Sequence, residues 1–474
     1  MKKTIFLLLL ITALSLLSAE DFSLSGTNDL ELVYKTAEDS LNTYFYNELS
    51  LSANYKKLVF GMKFLAEMPR YYSDRPIDEL NPRDVEVKWD ERYLTYEGEK
   101  MTLHIGTTEE FIGSGMLFRA YRDDDVDVDT RLDAALIKAE TDFFRVKSLY
   151  GAYEASSYPD KYNLAGLFDV ETLVVPHTKI GVTYVQNQAL ISNSEYDLLK
   201  IYGARIVQEW DYFDMYGEYG KSYTDKSDIE GDGYYANLNA YIGEFTITGA
   251  YKRYLNFKYD LNDVPTVNYH EETLADDVSN GEDEEGFMGE LSWEHNDYSL
   301  FFSYSEAWDT HRDRQMNDFF GSLGKMFGEN TITAECGYWE KVNDDLVTWR
   351  REITPTLIFD IPTDFLGYHI KTELQRIEKE TQGIALEHWE PLLQTDVSYD
   401  IYSLSVIAET NLEEFGDIMD SRFFLNAEFR TTIYENTDVV LFAGAEKGGK
   451  VCRNGVCKTN KPFEGVRLEL STRF

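Results

Sequence analysis

The 474-residue chain has only 10 Pro and 3 Cys, and its 45 Lys and Arg face 85 Asp and Glu, a formal charge of −40. So little proline leaves no room for linkers, and no low-complexity tract or break in composition divides the sequence. One domain is the economical organisation. The shortage of cations argues against nucleic acid or an anionic membrane surface as a partner. After the first 20 residues no run approaches the roughly 18 apolar residues of a membrane-spanning helix. HExxH, the P-loop, paired Cys-x-x-Cys and the Rossmann fingerprint are all missing. The seven His are scattered and none lies in a recognisable nucleophile motif, so the chain reads as a non-enzyme. No repeat of fixed period marks a propeller or solenoid.

Aromatics, by contrast, abound: 34 Tyr, 28 Phe and 7 Trp make up 15% of a sequence whose mean hydropathy is nonetheless negative. Strands whose alternate residues face lipid and water, with aromatic girdles at both interfaces, produce this combination. At the N-terminus Met1-Lys2-Lys3 supplies positive charge, Ile5 to Leu17 an apolar stretch and Leu17-Ser18-Ala19 a cleavage site. These features predict a signal peptide over residues 1–19, and a mature domain over 20–474. No Cys follows the apolar stretch, which argues against a lipidated terminus.

Alternation recurs along the chain. Phe45, Leu49, Leu51 and Ala53 alternate with polar residues, Asn54-Tyr55-Lys56-Lys57 turns the chain, and Leu58, Phe60, Met62 and Phe64 run back as a hairpin. Further short turns are read at Glu97–Lys100, Glu140–Asp142, Pro176–Thr178, Glu209–Asp211, Gly243–Glu244, His295–Asp297, Gly328–Asn330, Pro362–Asp364, Tyr399–Ile401 and Glu435–Asp438. Between them lie longer acidic loops, at Tyr71–Pro82, Tyr153–Tyr162, Tyr223–Gly233, Asn262–Glu285, Asp309–Asn317 and Glu378–Glu387. The expected fold is all-β: a single large antiparallel transmembrane β-barrel of about 24 strands, range 18–24, with short periplasmic turns and long acidic extracellular loops. A soluble β-sandwich or propeller is the competing architecture. It would bury one strand face, whereas here the apolar faces carry aromatics in strand after strand.

The final strand sharpens this. Val466, Leu468, Leu470 and Phe474 share one face, and Arg467, Glu469, Ser471 and Arg473 the other. Ending on the aromatic, it resembles the C-terminal signal that the assembly machinery of the bacterial outer membrane reads on β-barrels, although Thr472 stands where that signal usually has an aromatic or aliphatic residue. The resemblance implies export, the outer membrane as location, its lipid as surroundings and the barrel assembly machinery as a partner.

One segment does not read as a plain strand. In Phe111-Ile112-Gly113-Ser114-Gly115-Met116-Leu117-Phe118-Arg119, Gly113 and Gly115 permit tight or positive-φ backbone, so the segment is a candidate constriction bent into the barrel. Gly-x-Gly-x-x-x-Arg119, an acidic run and Asp129-x-Arg131-Leu132-Asp133 together resemble a family of uncharacterised, porin-like outer-membrane barrels. That resemblance implies fold and location and carries no activity with it. Asp125, Asp127 and Asp129, at alternate positions, would share one face of an extended strand and could gather as oxygen ligands for weakly loop-bound Ca²⁺, with a solvated acidic loop as the plainer reading. No other cofactor is expected. Asp228-x-Glu230-x-Asp232-Gly233 fails as an EF-hand, because Asn239 stands where the bidentate Glu is needed.

Alternation also nominates lumen-facing side chains. Val85, Val87, Trp89 and Tyr93 on one face leave Glu86, Lys88, Asp90 and Arg92 inside. His369, Lys371 and Glu373 are a second inward set, and Arg467, Glu469 and Arg473 a third. Mixed charges of this kind line hydrated pores. Cys452-Arg453-Asn454-Gly455-Val456-Cys457 centres on the favoured Asn-Gly turn, which sets Cys452 opposite Cys457 for a disulfide in an oxidising compartment. Cys336 shares a face with Ile332, Ala334 and Tyr338 and reads as a lone lipid-facing thiol. No separate plug domain precedes the first strand pattern, Leu24 to Thr36. The leading expectation is a water-filled pore giving passive or weakly selective passage to small hydrophilic solutes. The alternative is a surface or assembly barrel with a closed lumen, an anchor whose acidic loops bind a surface or periplasmic protein.

Overall fold

The computed structural model describes residues 22–36, 43–69, 85–123, 128–155, 161–192, 195–274, 281–344, 347–381, 383–415, 418–453, 456–460 and 462–474. The expected signal peptide, together with Asp125 and Asp127, lies outside them. Among the described residues there is no helix. Twenty-four antiparallel strands form one sheet, each hydrogen-bonded to the next. The sheet closes on itself because the first strand, Phe22–Lys35, pairs with the last, Phe463–Arg473, with Leu30 opposite Leu470 and Leu32 opposite Leu468. Phe474 completes the seam: its backbone exchanges two hydrogen bonds with Gly26, at 2.9 and 3.0 Å, and its ring lies over that glycine. Closure leaves no unpaired strand edge, a condition for any sheet placed in hydrocarbon.

Each of the short turns read from the sequence joins two neighbouring strands. Tight reversal needs left-handed backbone, and turn residues such as Asn296 (φ 51°) and Asp400 (φ 51°) supply it. The strands at the other end run further than expected. Strands Phe213–Thr224 and Glu230–Ile242 leave little of the Tyr223–Gly233 loop, and strands Gly367–Thr381 and Ile384–Tyr399 absorb most of Glu378–Glu387.

Period-2 alternation sorts the side chains. Leu24, Phe168, Val182, Tyr202, Leu323, Leu393, Phe423 and Leu441 are all exposed on the outer face. Apolar side chains exposed in strand after strand far exceed the few hundred Å² of contiguous apolar surface that a monomeric soluble protein tolerates. Cys336 is exposed on this face beside Ala334, as expected. Val466 and Phe474 are exposed there too, and Arg467 is buried on the inside.

One strand departs from the regular pattern. In Glu86–Glu97, Lys63 pairs with Glu91 and Phe64 with Trp89, so Asp90 is an extra residue, a β-bulge. A single insertion inverts the alternation beyond it. Glu86, Lys88 and Asp90 therefore point inward, as read from the sequence, but Arg92 does not. It lies on the outer face, 58% exposed, and pairs with Asp133 at 3.2 Å. Tyr93, expected outside, points into the lumen in its place.

Candidate functional site

Residues 109–123 and 128–131 fold into the barrel. Glu110–Ile112 pairs with Phe118–Ala120 as a short ribbon, reversed through Gly113 (φ 60°), Ser114 and Gly115 (φ 93°). A side chain is ruled out at Gly113 on a second count: a Cβ there would sit 2.3 Å from both the Glu218 carboxylate and the Tyr216 hydroxyl of the wall. The ribbon buries Ile112, Met116, Leu117, Phe118 and Ala120 almost completely. They pack on inward-facing wall residues that are themselves apolar: Leu132, Ala134, Leu136, Leu149, Ala165, Leu167, Val185 and Ile201. Leu117 fits a seat made by two wall glycines, since a Cβ on Gly203 or Gly220 would lie 2.3 or 2.8 Å from its methyls.

A second segment joins it, and corrects the sequence reading. Of the stretch expected as an external acidic loop, Asn262–Glu285, residues 262–274 belong to an inward excursion that begins at Asn256, and Asp283 opens the next wall strand. Phe257, Tyr259, Leu261 and Val264 enter the same apolar core. Backbone bonds stitch the two segments together: Arg119 N donates to Leu261 O at 2.7 Å, and Asp263 N to Gly115 O at 3.1 Å. The Tyr259 hydroxyl donates to Leu117 O, and Asn262 Nδ2 to both Met116 O and Phe257 O. Further along, the Tyr269 ring stacks on Phe320 (centroids 3.8 Å apart), His270 bonds Asp318 at 2.8 Å and Glu272 takes Lys341 at 2.9 Å. Leu274 packs on Ala307 and Met316. The two segments therefore line one arc of the wall.

Charge anchors the edges of this insert. Glu110, almost fully buried, pairs with Lys138 at 2.5 Å and Lys147 at 2.9 Å. Arg131 bonds Asp90 and Glu91 from the bulged strand, at 3.2 and 2.6 Å, and Asp129 at 2.6 Å. Arg122 adds a 2.7 Å bond to Asp90. The bulge lets two successive carboxylates, Asp90 and Glu91, aim at one guanidinium. Arg119 and Asp263 form an ion pair on the water-facing side of the insert, and the Arg119 guanidinium lies over the Tyr121 ring at 3.9 Å.

Burial presses the Glu110 carboxyl upward, but Lys138 and Lys147 outweigh it and hold the group below its ordinary 4.5. For Asp129 burial again raises and Arg131 prevails, so that carboxyl also titrates below its ordinary range. A depressed carboxylate stabilises the docked state fully above its unfolded-state pKa, and loses that contribution as pH falls through the lower folded-state value. Protease accessibility of residues 109–123 is therefore expected to stay flat from about pH 8 to about pH 5 and to rise below about pH 4.

Elsewhere the inner wall is polar. His369 bonds Asp360 at 2.7 Å and Lys371 bonds Glu373 at 2.7 Å. Arg467 pairs with Glu469 at 2.7 Å and Glu446 at 3.6 Å, and Arg473 reaches Asp438 at 2.6 Å. These sets lie on strands Gly367–Thr381 and Phe463–Arg473, outside the run of strands from Leu132–Glu140 to Phe245–Leu255 that holds the apolar core of the insert. Asp129 gives its carboxylate to Arg131, and among the described residues no group of His, Cys, Asp and Glu is arranged to hold a metal ion. The ribbon Gly449–Arg453 with Val456–Asn460 stands apart from the barrel sheet and sets Cys452 directly across from Cys457.

A closed 24-stranded antiparallel barrel with an apolar outer face and an insert folded into its lumen defines an outer-membrane type of β-barrel. Residues 1–275 match the model of a family of unknown function (DUF6029), and the chain belongs to that family. Among solved structures it is similar to a chain of the Escherichia coli P pilus tip assembly intermediate PapC-PapD-PapK-PapG (TM-score 0.56, 9% identity), with 95% of this chain covered. It spans 60% of that chain's length. It is also similar to the P pilus usher PapC translocation pore (TM-score 0.48, 10% identity, 95% of this chain and 99% of that one). The siderophore receptor PirA from Pseudomonas aeruginosa follows (TM-score 0.47, 9% identity, 95% and 80%). No curated protein sequence matches the chain.

Proposed function

We propose that this protein is a bacterial outer-membrane channel, exported by the signal peptide at residues 1–19, that passes small hydrophilic solutes passively or with weak selectivity. One observation carries the reading: the insert is docked on one arc of the wall, whereas the arc bearing His369, Lys371, Glu373 and Arg467 remains polar and ion-paired. Loops that narrow a lumen from one side, facing a charged wall, filter solutes by size and charge. The acidic excess favours cations. The test is single-channel conductance of refolded protein in a planar bilayer under asymmetric KCl, with steady, cation-preferring openings expected. A silent bilayer from protein whose heat-modifiable migration proves folding would sink the channel.

That outcome would support the second reading, a closed anchoring or assembly barrel whose loops meet a partner protein. It has its own supporting observation, since a continuous apolar core holds the insert where a mobile gate would be loosely held. In either reading the barrel lies in outer-membrane lipid, reached through the barrel assembly machinery that reads Val466, Leu468, Leu470 and Phe474. No catalytic role is assigned.

The Cys452–Cys457 disulfide belongs to the same proposal, because export passes through an oxidising compartment. Of the three Cys, one is expected to take a maleimide label in denatured, unreduced protein and all three after reduction. Equal labelling before and after reduction would dismiss the bridge.

A further inference from the structure

Below the insert, on the side of the short turns, the wall strands Glu86–Glu97, Met101–Thr108 and Leu132–Glu140 and the base of the ribbon line an open pocket of about 310 Å³. That volume is at the lower end of the roughly 300–1,000 Å³ typical of small-molecule sites. Its lining includes Tyr93, Thr102, His104, Glu109, Arg131 and Lys138. The bulge at Asp90 built it, by turning Tyr93 inward. The Tyr93 ring lies over Gly61, where a Cβ would be 2.1 Å away, and runs within 25° of parallel to the His104 ring, with centroids 5.3 Å apart. His104 is fixed at both nitrogens, by Thr95 Oγ1 at 2.8 Å and Thr107 O at 3.0 Å. The two rings make a rigid aromatic surface.

The polar groups around it divide into spent and free. Arg131 is engaged by Asp90, Glu91 and Asp129, and Lys138 by Glu110. Among the described residues none donates a hydrogen bond to the Glu109 carboxylate, and the hydroxyls of Tyr93 and Thr102 have no hydrogen-bond partner there. A ligand would therefore meet a carboxylate, two hydroxyls and an aromatic surface. The unspent Glu109 repels a carboxylate or phosphate, and a small ammonium would use that carboxylate but leave the two hydroxyls and the rings unused. What remains is a neutral molecule rich in hydroxyls, with C–H faces to lie on the rings and vicinal hydroxyls to donate to the carboxylate. A second cavity, of about 690 Å³, shares Thr102 and Lys138 with the first and runs past Gly98, Lys100, Asp142 and Arg145 at the short-turn end.

We infer that this cavity is a saccharide subsite of the lumen, fitting a mono- or disaccharide between the Tyr93–His104 surface and Glu109. The inference names the solute class for the channel proposed above and rests on that reading for its role, but its binding chemistry can be tested alone.

The experiment is isothermal titration calorimetry of the full-length folded barrel in detergent, with glucose and maltose as probes and an alkylammonium and gluconate as charged controls. Saccharide affinity in the millimolar range is expected, with Glu109→Gln weakening it about tenfold and Tyr93→Ala abolishing detectable binding. Heat-modifiable migration checks that each variant is folded. No heat with either sugar, an unchanged affinity in Glu109→Gln, or tighter binding of a charged control overturns the subsite. Bilayer recordings separate the two proposals: a conducting barrel that ignores sugar defeats the subsite and leaves the channel standing. A silent barrel that binds sugar does the reverse.

Discussion

Leu117→Asp is expected to raise single-channel conductance severalfold. Leu117 is fully buried between the insert and the wall, its seat shaped by Gly203 and Gly220, and its own carbonyl is held by Tyr259. An unpaired carboxylate forced into that seat costs several kcal/mol, more than the roughly 2–5 kcal/mol of a large-to-small core substitution. Undocking the ribbon restores its water and relieves the cost. Gly203→Val should give the same result from the wall side, because its new methyls must displace Leu117 while every residue of the ribbon stays native. Two folded variants with the parent conductance would show that the insert is not what narrows the lumen.

Arg131→Ala is expected to loosen the docked base of the insert by about 3–5 kcal/mol, the usual penalty for stranding buried charge. Its guanidinium, almost wholly enclosed, bonds Asp90, Glu91 and Asp129 together. Without it that acidic set keeps only Arg122 against Asp90 and Lys63, 3.1 Å from Glu91, with Asp129 left stranded. Lysine cannot substitute fully, since one ammonium does not reproduce a planar fork that reaches three carboxylates. Hydrogen exchange at the amides of 118–123 should accelerate by about two orders of magnitude or more, and Arg131→Lys should fall between the two. Unchanged exchange in Arg131→Ala would mean that the apolar core alone holds the insert.

Much of the barrel was legible because one rule, alternate residues to lipid and water, governs every strand. The short turns, the closing strand and the inward sets around Lys371 and Arg467 all follow from it. The rule failed at Arg92 because a bulge is a single unmatched residue, invisible until the partner strand is known. It missed the second inward segment for a different reason. The acidic residues between Asn262 and Glu285 looked like a solvated loop, although Phe257, Tyr259 and Leu261 alternate with Lys258, Asp260 and Asn262 at its start. A further clue lay in the wall. Strands Leu132–Glu140 and Tyr162–Val175 carry apolar residues on both faces, which a strand between lipid and water does not need and a strand with an insert against it does. Glu109 and Tyr93 gave no sign in sequence of sharing a cavity, since that depends on the bulge and on the fold of the ribbon together.

The shared core also constrains the order in which the molecule can be built. Leu117 contacts wall positions about 100 residues downstream, and its last partners, Phe257 to Val264, come from just past the midpoint of the chain. Closure of the ring waits for Phe474 to reach Gly26. The lumenal core can therefore condense while the sheet is still an open, curved ribbon, giving the early strands a fixed curvature before the late strands arrive. The contacts that shape this core do not depend on the closing pair, so the insert can serve as a template for its own wall.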